Sequence, residues 1–336
     1  HTMRHANISV FIPHVGCPYA CAFCRQNTIS DTERAPSPEE VDVQLKAAFD
    51  RIPEADRANT EIAFFGGSFT AIPEHYMDAL LYVAGKYLQK DCHSGFSGIR
   101  ISTRPDCISD SILIKLKNAG VTAIELGAQS MDDEVLSANK RGHTSADVVR
   151  STALIKSYGF ETGLQMMTGL YKSTPEKDIK TGMDIAALSP DTVRIYPTVI
   201  IKGTELARLY EQGIYVPYPF DDCIDVCAQL MGIFADRNIR VIRLGLHAER
   251  SLEENAVGGF FHPALGELVR SRMIRDIIER EGTPAVCKAP SRLMSALVGH
   301  KGCNREYFSG RGVVFERDDA LPADTINING KDFRIG

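Results

Sequence analysis

Seven apolar, β-branched runs, at residues 8–12, 61–65, 98–103, 123–127, 161–166, 192–196 and 240–244, constrain the fold more than anything else in the chain. Between them lie amphipathic stretches with readable ends. Ser37-Pro38-Glu39-Glu40 supplies an N-cap serine, a proline at the first helical position and a glutamate at the third, ahead of a helix over 41–49. Asp106, Ser109 and Asp110 are candidate caps for a helix that runs to about Asn118 and is ended by Gly120. Ser173 or Thr174 before Pro175 opens another, closed by Ser189-Pro190. Repeated strand and helix units of this kind predict an α/β fold with a parallel sheet, a (β/α) barrel or partial barrel whose working face lies at the C-terminal ends of the strands. The rhythm breaks near residue 248. One long helix over 263–280 then precedes short strand-like runs such as 312–315. The expected division is therefore a partial barrel over 4–247 and a small C-terminal subdomain over 248–336.

Composition excludes several classes. Of 336 residues 44% are hydrophobic and 24% charged, which is too apolar for a disordered chain. No run of about 18 apolar residues suggests a membrane span. No signal peptide is evident, and His1-Thr2 ahead of Met3 reads as an expression scar. A cytoplasmic protein without a membrane partner is expected. Nine cysteines in such a chain point to metal or redox chemistry before disulfides.

Three of the nine sit together, in Cys17-Pro18-Tyr19-Ala20-Cys21-Ala22-Phe23-Cys24, directly after the first strand and beside Gly16. Three thiolates in a short loop can each bind one iron of a 4Fe–4S cluster and leave the fourth iron open for chemistry. A ferredoxin calls for a fourth cysteine and a structural zinc site for four N or S ligands, and neither pattern is complete. His14 reads as packing or as a group supporting the ligands. Cys92 and Cys107 stand singly, and Cys223, Cys227, Cys287 and Cys303 read as core or surface thiols.

The triad, with three and then two intervening residues and Phe23 before the last cysteine, resembles that of the radical S-adenosylmethionine (SAM) enzymes. The resemblance implies Cys17, Cys21 and Cys24 as cluster ligands, SAM bound at the open iron, and cleavage to a 5′-deoxyadenosyl radical that takes hydrogen from a substrate. Gly66-Gly67-Ser68, at the end of the second strand, resembles the family's glycine-rich contact to the SAM amino group. The runs 102–106, 125–130 and 139–144, then 194–206, resemble the radical-SAM lobe of the elongator catalytic subunit and, more distantly, oxygen-independent coproporphyrinogen oxidase. By that likeness Gln129 contacts the SAM ribose. Ser102 stands where the relatives carry a ribose-binding glutamate, and Gln165 replaces a histidine or aspartate near the ribose and adenine, while Met166 and Met167 read as core. Tyr196 and Lys202 lie at the mouth of a barrel strand, either touching substrate or SAM or serving as a packed aromatic and a solvated lysine.

The likeness covers about residues 6–245 and stops there. No glycine-rich pyrophosphate-binding loop of the elongator's acetyltransferase lobe follows, and Leu244-Gly245-Leu246-His247 replaces an acidic-Ile-Pro turn. From 240 to 312 there are 12 Lys and Arg against 8 Asp and Glu, a modest basic surplus on a chain of net charge −5. Arg270, Arg272, Arg275 and Arg280, interspersed with acids, read as a solvated helix face. The sequence thus points to a radical SAM enzyme that modifies a substrate, with tRNA, a small molecule or tetrapyrrole, and a peptide all open. It would draw electrons from a flavodoxin or ferredoxin. The rival from another class is a non-enzymatic iron–sulfur or zinc protein.

Overall fold

The structure is a computed structural model that describes residues 6–13, 15, 17, 21–25, 34–89, 94–246 and 250–335. His14, Gly16, Pro18, Cys92, His247 and the residues ahead of Ala6 lie outside the described residues. Seven strands form one sheet: β1 (Ala6–Ile12), β2 (Thr60–Gly66), β3 (Gly98–Thr103), β4 (Val121–Gln129), β5 (Glu161–Thr168), β6 (Thr192–Pro197) and, beyond the short β7 (Val199–Ile201), β8 (Arg240–Leu244). They follow the order β1-β2-β3-β4-β5-β6-β8, and the pairs β1–β2, β2–β3, β3–β4 and β6–β8 are parallel. This is the α/β partial barrel that the strand and helix rhythm predicts. Each expected run falls on a strand, most of them one to two residues short of its ends.

Local chemistry explains the helix boundaries. Ser37 caps Pro38–Arg51 with a full capping box closed by Glu40, Ser109 caps Asp110–Asn118, and Thr174 caps Pro175–Ala187. Each side chain satisfies a backbone N–H that the helix itself leaves bare. The helix Pro38–Arg51 buries Val41, Leu45 and Ala48 and packs on Glu74–Gly85, which buries Met77, Leu80, Leu81 and Ala84. Each leucine so buried contributes roughly 1.5–3 kcal/mol of transfer free energy.

Contact density divides the chain into two compact units. One holds His1–Gln165, Ile200–Ile214 and Glu249–Val257; the other holds Met166–Val199, Tyr215–Ala248 and Gly258–Gly336. One boundary of these units falls inside β5, and the helix Leu265–Glu281 packs on Phe220–Asp236, which joins the C-terminal residues to part of the preceding chain. In this second unit β9 (Ala256–Gly259) contributes its last two residues, and β10 (Ala285–Ala289), β11 (Val313–Arg317), β12 (Thr325–Ile328) and β13 (Lys331–Arg334) form a sheet of order β11-β10-β12-β13. No described helix is long and apolar enough to cross a membrane.

Candidate active site

Successive residues of a strand alternate between faces, so one face of the first unit can be read from the register. At its base Arg100 Nε meets Glu61 Oε2 at 2.9 Å, Nη1 meets Glu125 Oε1 at 3.4 Å and Nη2 meets Glu161 Oε1 at 3.1 Å. One guanidinium thus joins β2, β3, β4 and β5. Toward the C-terminal ends the same face carries the small residues Ala63, Ser102, Gly127 and Gly163, and then Gln129 and Gln165, whose Nε2 lies 3.5 Å from Gln129 Oε1. Small side chains above a charged floor leave room beneath a polar rim.

The cysteine loop follows β1. Cys17, Cys21 and Cys24 are all half-buried and in no disulfide, and the Cys24 N–H donates to Cys21 O at 3.1 Å. Between them Ala22, 1% exposed, anchors the loop: its N–H donates to Asn139 O at 3.1 Å and its carbonyl accepts from the Leu206 N–H at 2.8 Å. Phe23 is half-buried beside them, and Arg25 donates from Nη1 to Lys202 O at 3.0 Å. Among the described residues no three of His, Cys, Asp and Glu converge on a point where a single ion could sit. In a 4Fe–4S cluster each thiolate takes a different iron, so its donor set has no such common point.

Two buried arginines frame the loop, and neither stood out as a site residue in the sequence. Arg141 donates from Nη1 to Cys21 Sγ at 3.1 Å and from Nη2 to Gly127 O at 2.6 Å. Its Nε is buried without a partner. Arg104 grips Asp106 through Nε at 2.9 Å and Nη2 at 3.1 Å, and its Nη2 also donates to Arg141 O. The Arg104 N–H donates to Ser68 Oγ at 3.0 Å, which fixes Ser68, 2% exposed, at the end of β2. His143 Nε2 lies 3.1 Å from Ala128 O while Nδ1 is buried without a partner. Burial, and then the Arg141 charge, pull the His143 pKa down to about 4.

The glycines bring β2 against β1. The Gly67 N–H donates to Ile12 O at 2.7 Å, and a Cβ at Gly67 would stand 2.1 Å from Val15 O. Gly66 has φ +110°, where a Cβ is strained, and that Cβ would stand 2.7 Å from Ile12 O. Gln129 is held at φ +65°, an uncommon conformation for a residue with a side chain, with 5% of its surface exposed. Ser102 is half-buried on the same face. Lys202 is exposed, its backbone N–H bonded to Asn255 O at 2.9 Å. Tyr196 belongs to the second unit, half-buried on β6. The structure thus brings the triad, Phe23, Gly66, Gly67, Ser68, Ser102, Gln129, Gln165 and Lys202 into one unit and leaves Tyr196 in the other. Met166 is fully buried and Met167 half-buried, while Cys223, Cys227 and Cys287 are buried and Cys303 exposed.

Known proteins share these features. The profile of the radical SAM superfamily matches residues 11–181, and that of a radical SAM C-terminal domain matches 190–275. A tRNA uridine(34) acetyltransferase of Dehalococcoides mccartyi is 28% identical over 63% of this chain and 52% of its own length. Human elongator complex protein 3 is 31% identical over 66% of this chain and 44% of its own. The chain therefore spans about half the length of these curated relatives. Among solved structures, Methanocaldococcus infernus Elp3 with an N-terminal deletion superposes with a TM-score of 0.62 at 24% identity, covering 82% of this chain and 64% of that one, a likeness of fold.

Proposed function

The chain belongs to the radical SAM superfamily and is an enzyme of that type, and from that premise we propose that it holds a 4Fe–4S cluster and SAM and modifies tRNA. Cys17, Cys21 and Cys24 would each bind one iron. Bound together, cluster and SAM supply one-electron reductive cleavage of SAM and, through it, hydrogen abstraction from the substrate. The residues present suit both groups. The observation that carries this reading is Arg141, a buried guanidinium at Cys21 whose Nε has no partner. An unsatisfied buried donor of positive charge beside the triad suits the SAM carboxylate, since charge-assisted Arg–carboxylate bonds are among the strongest.

Side chains and backbone of the chain do the rest. By the family likeness Gly66 and Gly67 would offer backbone carbonyls to the SAM amino group, and Ser68 is held by the Arg104 N–H. Gln129, Gln165 and Ser102 offer neutral donors and acceptors to a neutral ribose diol. Phe23, half-buried, directly precedes Cys24. Lys202, exposed and cationic, and Tyr196 are proposed to meet the substrate. The cysteine loop, part-exposed, admits an electron donor such as a flavodoxin or ferredoxin. The cytoplasm is the proposed compartment.

The tRNA substrate is supported by the names of the relatives and by the basic surplus over residues 240–312. Anaerobic reconstitution with iron and sulfide, followed by SAM and a strong reductant, is expected to release 5′-deoxyadenosine and methionine. A purified protein that holds zinc, or an iron cluster that leaves SAM intact, would overturn the enzyme reading. Binding to tRNA should weaken steeply as salt rises. No binding at low salt would move the substrate to a small molecule or tetrapyrrole.

A further inference from the structure

The second unit contains a cavity of about 210 Å3 lined by Arg243, Gly245, Phe260, His262, Leu265 and Gly266, among others. Among the described residues no Asp or Glu lines it. Arg243 donates from Nε to Gly245 O at 2.8 Å, so its guanidinium stands at the wall, and its two terminal nitrogens bond to none of the described residues. Arg270 is not itself a lining residue, but its Nη1 lies 3.5 Å from the carbonyl oxygen of Gly266, which is. Neither arginine makes an ion pair among the described residues, although both are half-buried. Their surroundings add positive charge: Arg194 is the register partner of Arg243 on the neighbouring strand, and the Arg292 charge acts on Arg270.

Nearby arginines are treated differently. Arg272 pairs with Asp225, Arg311 with Glu279, and Arg275 lies over the Tyr307 ring at 4.7 Å. Arg270 thus departs from the solvated helix face expected of these residues, because it turns toward Gly266 at the cavity wall. Burial pulls the pKa of Arg243 and Arg270 down, a sign that each cation lacks compensation. Half-buried charge without a partner is costly, and an anion removes that cost.

We infer that this cavity is an oxyanion subsite that takes a phosphate group, held by Arg243 and Arg270 with His262 as a further donor. The Ala264 N–H donates to His262 Nδ1 at 3.0 Å, which in the neutral ring leaves the proton on Nε2. Two guanidinium forks match the several oxygens and double charge of a phosphate better than a lone carboxylate would. The volume is small beside the roughly 300–1,000 Å3 of pockets for whole small molecules, so it suits one group of a larger ligand. Only the source of the phosphate, a nucleic-acid backbone or a free phosphorylated molecule, rests on the tRNA reading.

Calorimetric titration of the full chain with inorganic phosphate, uridine 5′-monophosphate and uridine tests it, and none of these needs iron or SAM. The first two should bind and uridine should not. Arg243→Gln and Arg270→Gln should each weaken phosphate at least tenfold, with Arg243→Lys intermediate because it keeps the charge and loses the fork. Phosphate should raise the melting temperature of the wild type and not of the double variant, which also reports whether that variant folds. Phosphate that displaces bound oligouridylate assigns the subsite to nucleic acid, and phosphate that binds without displacing it assigns a free phosphorylated ligand. Failure of the wild type to bind phosphate, or equal binding by a folded double variant, overturns the subsite whatever the fate of SAM cleavage.

Discussion

Arg141 and Cys21, 120 positions apart in sequence, are joined by a 3.1 Å bond from guanidinium to sulfur. The same guanidinium caps Gly127 O at the end of β4, so one side chain ties the cysteine loop to the sheet. Substitution by Gln should leave the Gly127 carbonyl and Cys21 unserved and cost about 1.5–3 kcal/mol of stability, the scale of a bond to a charged group. SAM affinity, measured on the reconstituted protein, should fall at least tenfold while iron content stays near that of the wild type. Unchanged SAM affinity would count against Arg141 as the carboxylate partner.

Gly67→Ala should disturb the same loop from the other side. Its Cβ would meet Val15 O at 2.1 Å, and two backbone segments cannot yield as a side-chain tip can. Overpacking of this kind costs about 1–3 kcal/mol. Thermal unfolding should show the loss, and iron uptake on reconstitution should fall with it; Gly85→Ala, where nothing lies within 4 Å, is the control expected to show neither.

Arg100 holds Glu61 and Glu125, each nearly buried, together with the half-exposed Glu161. Arg100→Leu removes the cation that these carboxylates share and should destabilise the fold by about 3–5 kcal/mol. Urea denaturation at falling pH discriminates the cause: protonation of these acids should recover part of the loss, whereas a packing defect would persist at every pH.

His143 sets a pH dependence. In the unfolded chain it takes its proton near pH 6.5, but in the folded protein only near pH 4, because burial and Arg141 oppose the charge. Its contribution is therefore full above about pH 6.5 and declines as pH falls through 4, by roughly 3 kcal/mol in all. Asp178 acts with the opposite sign. Burial lifts its pKa from 3.8 to about 6 against the bonds from Ser173, Gly169 and Tyr218, so folding takes up its proton early and gains stability as pH falls through that range. The two partly cancel in the wild type. The difference between wild type and His143→Asn isolates the histidine, and a difference that is constant from pH 7 to pH 4 would refute the assignment.

The sequence by itself determined the strands, the caps and the cysteine triad. Alternation of apolar residues, a serine three places before a glutamate, and the spacing of Cys17, Cys21 and Cys24 are signals within a few residues of one another, and local geometry acts on them before the chain has closed. Only the tertiary structure decided what the charges do. Arg100, Arg104, Arg141, Arg243 and Arg270 look alike in sequence, since burial and partners come from strands and loops far along the chain. The fold turns the first into an ion-pair hub, sets the next two against the cysteine loop and leaves the last two without acidic partners among the described residues, Arg243 at a cavity wall and Arg270 beside Gly266 of that wall. The division inside β5 was hidden for the same reason: it depends on which helices pack together, and helix periodicity says which face is apolar without naming the face it will meet.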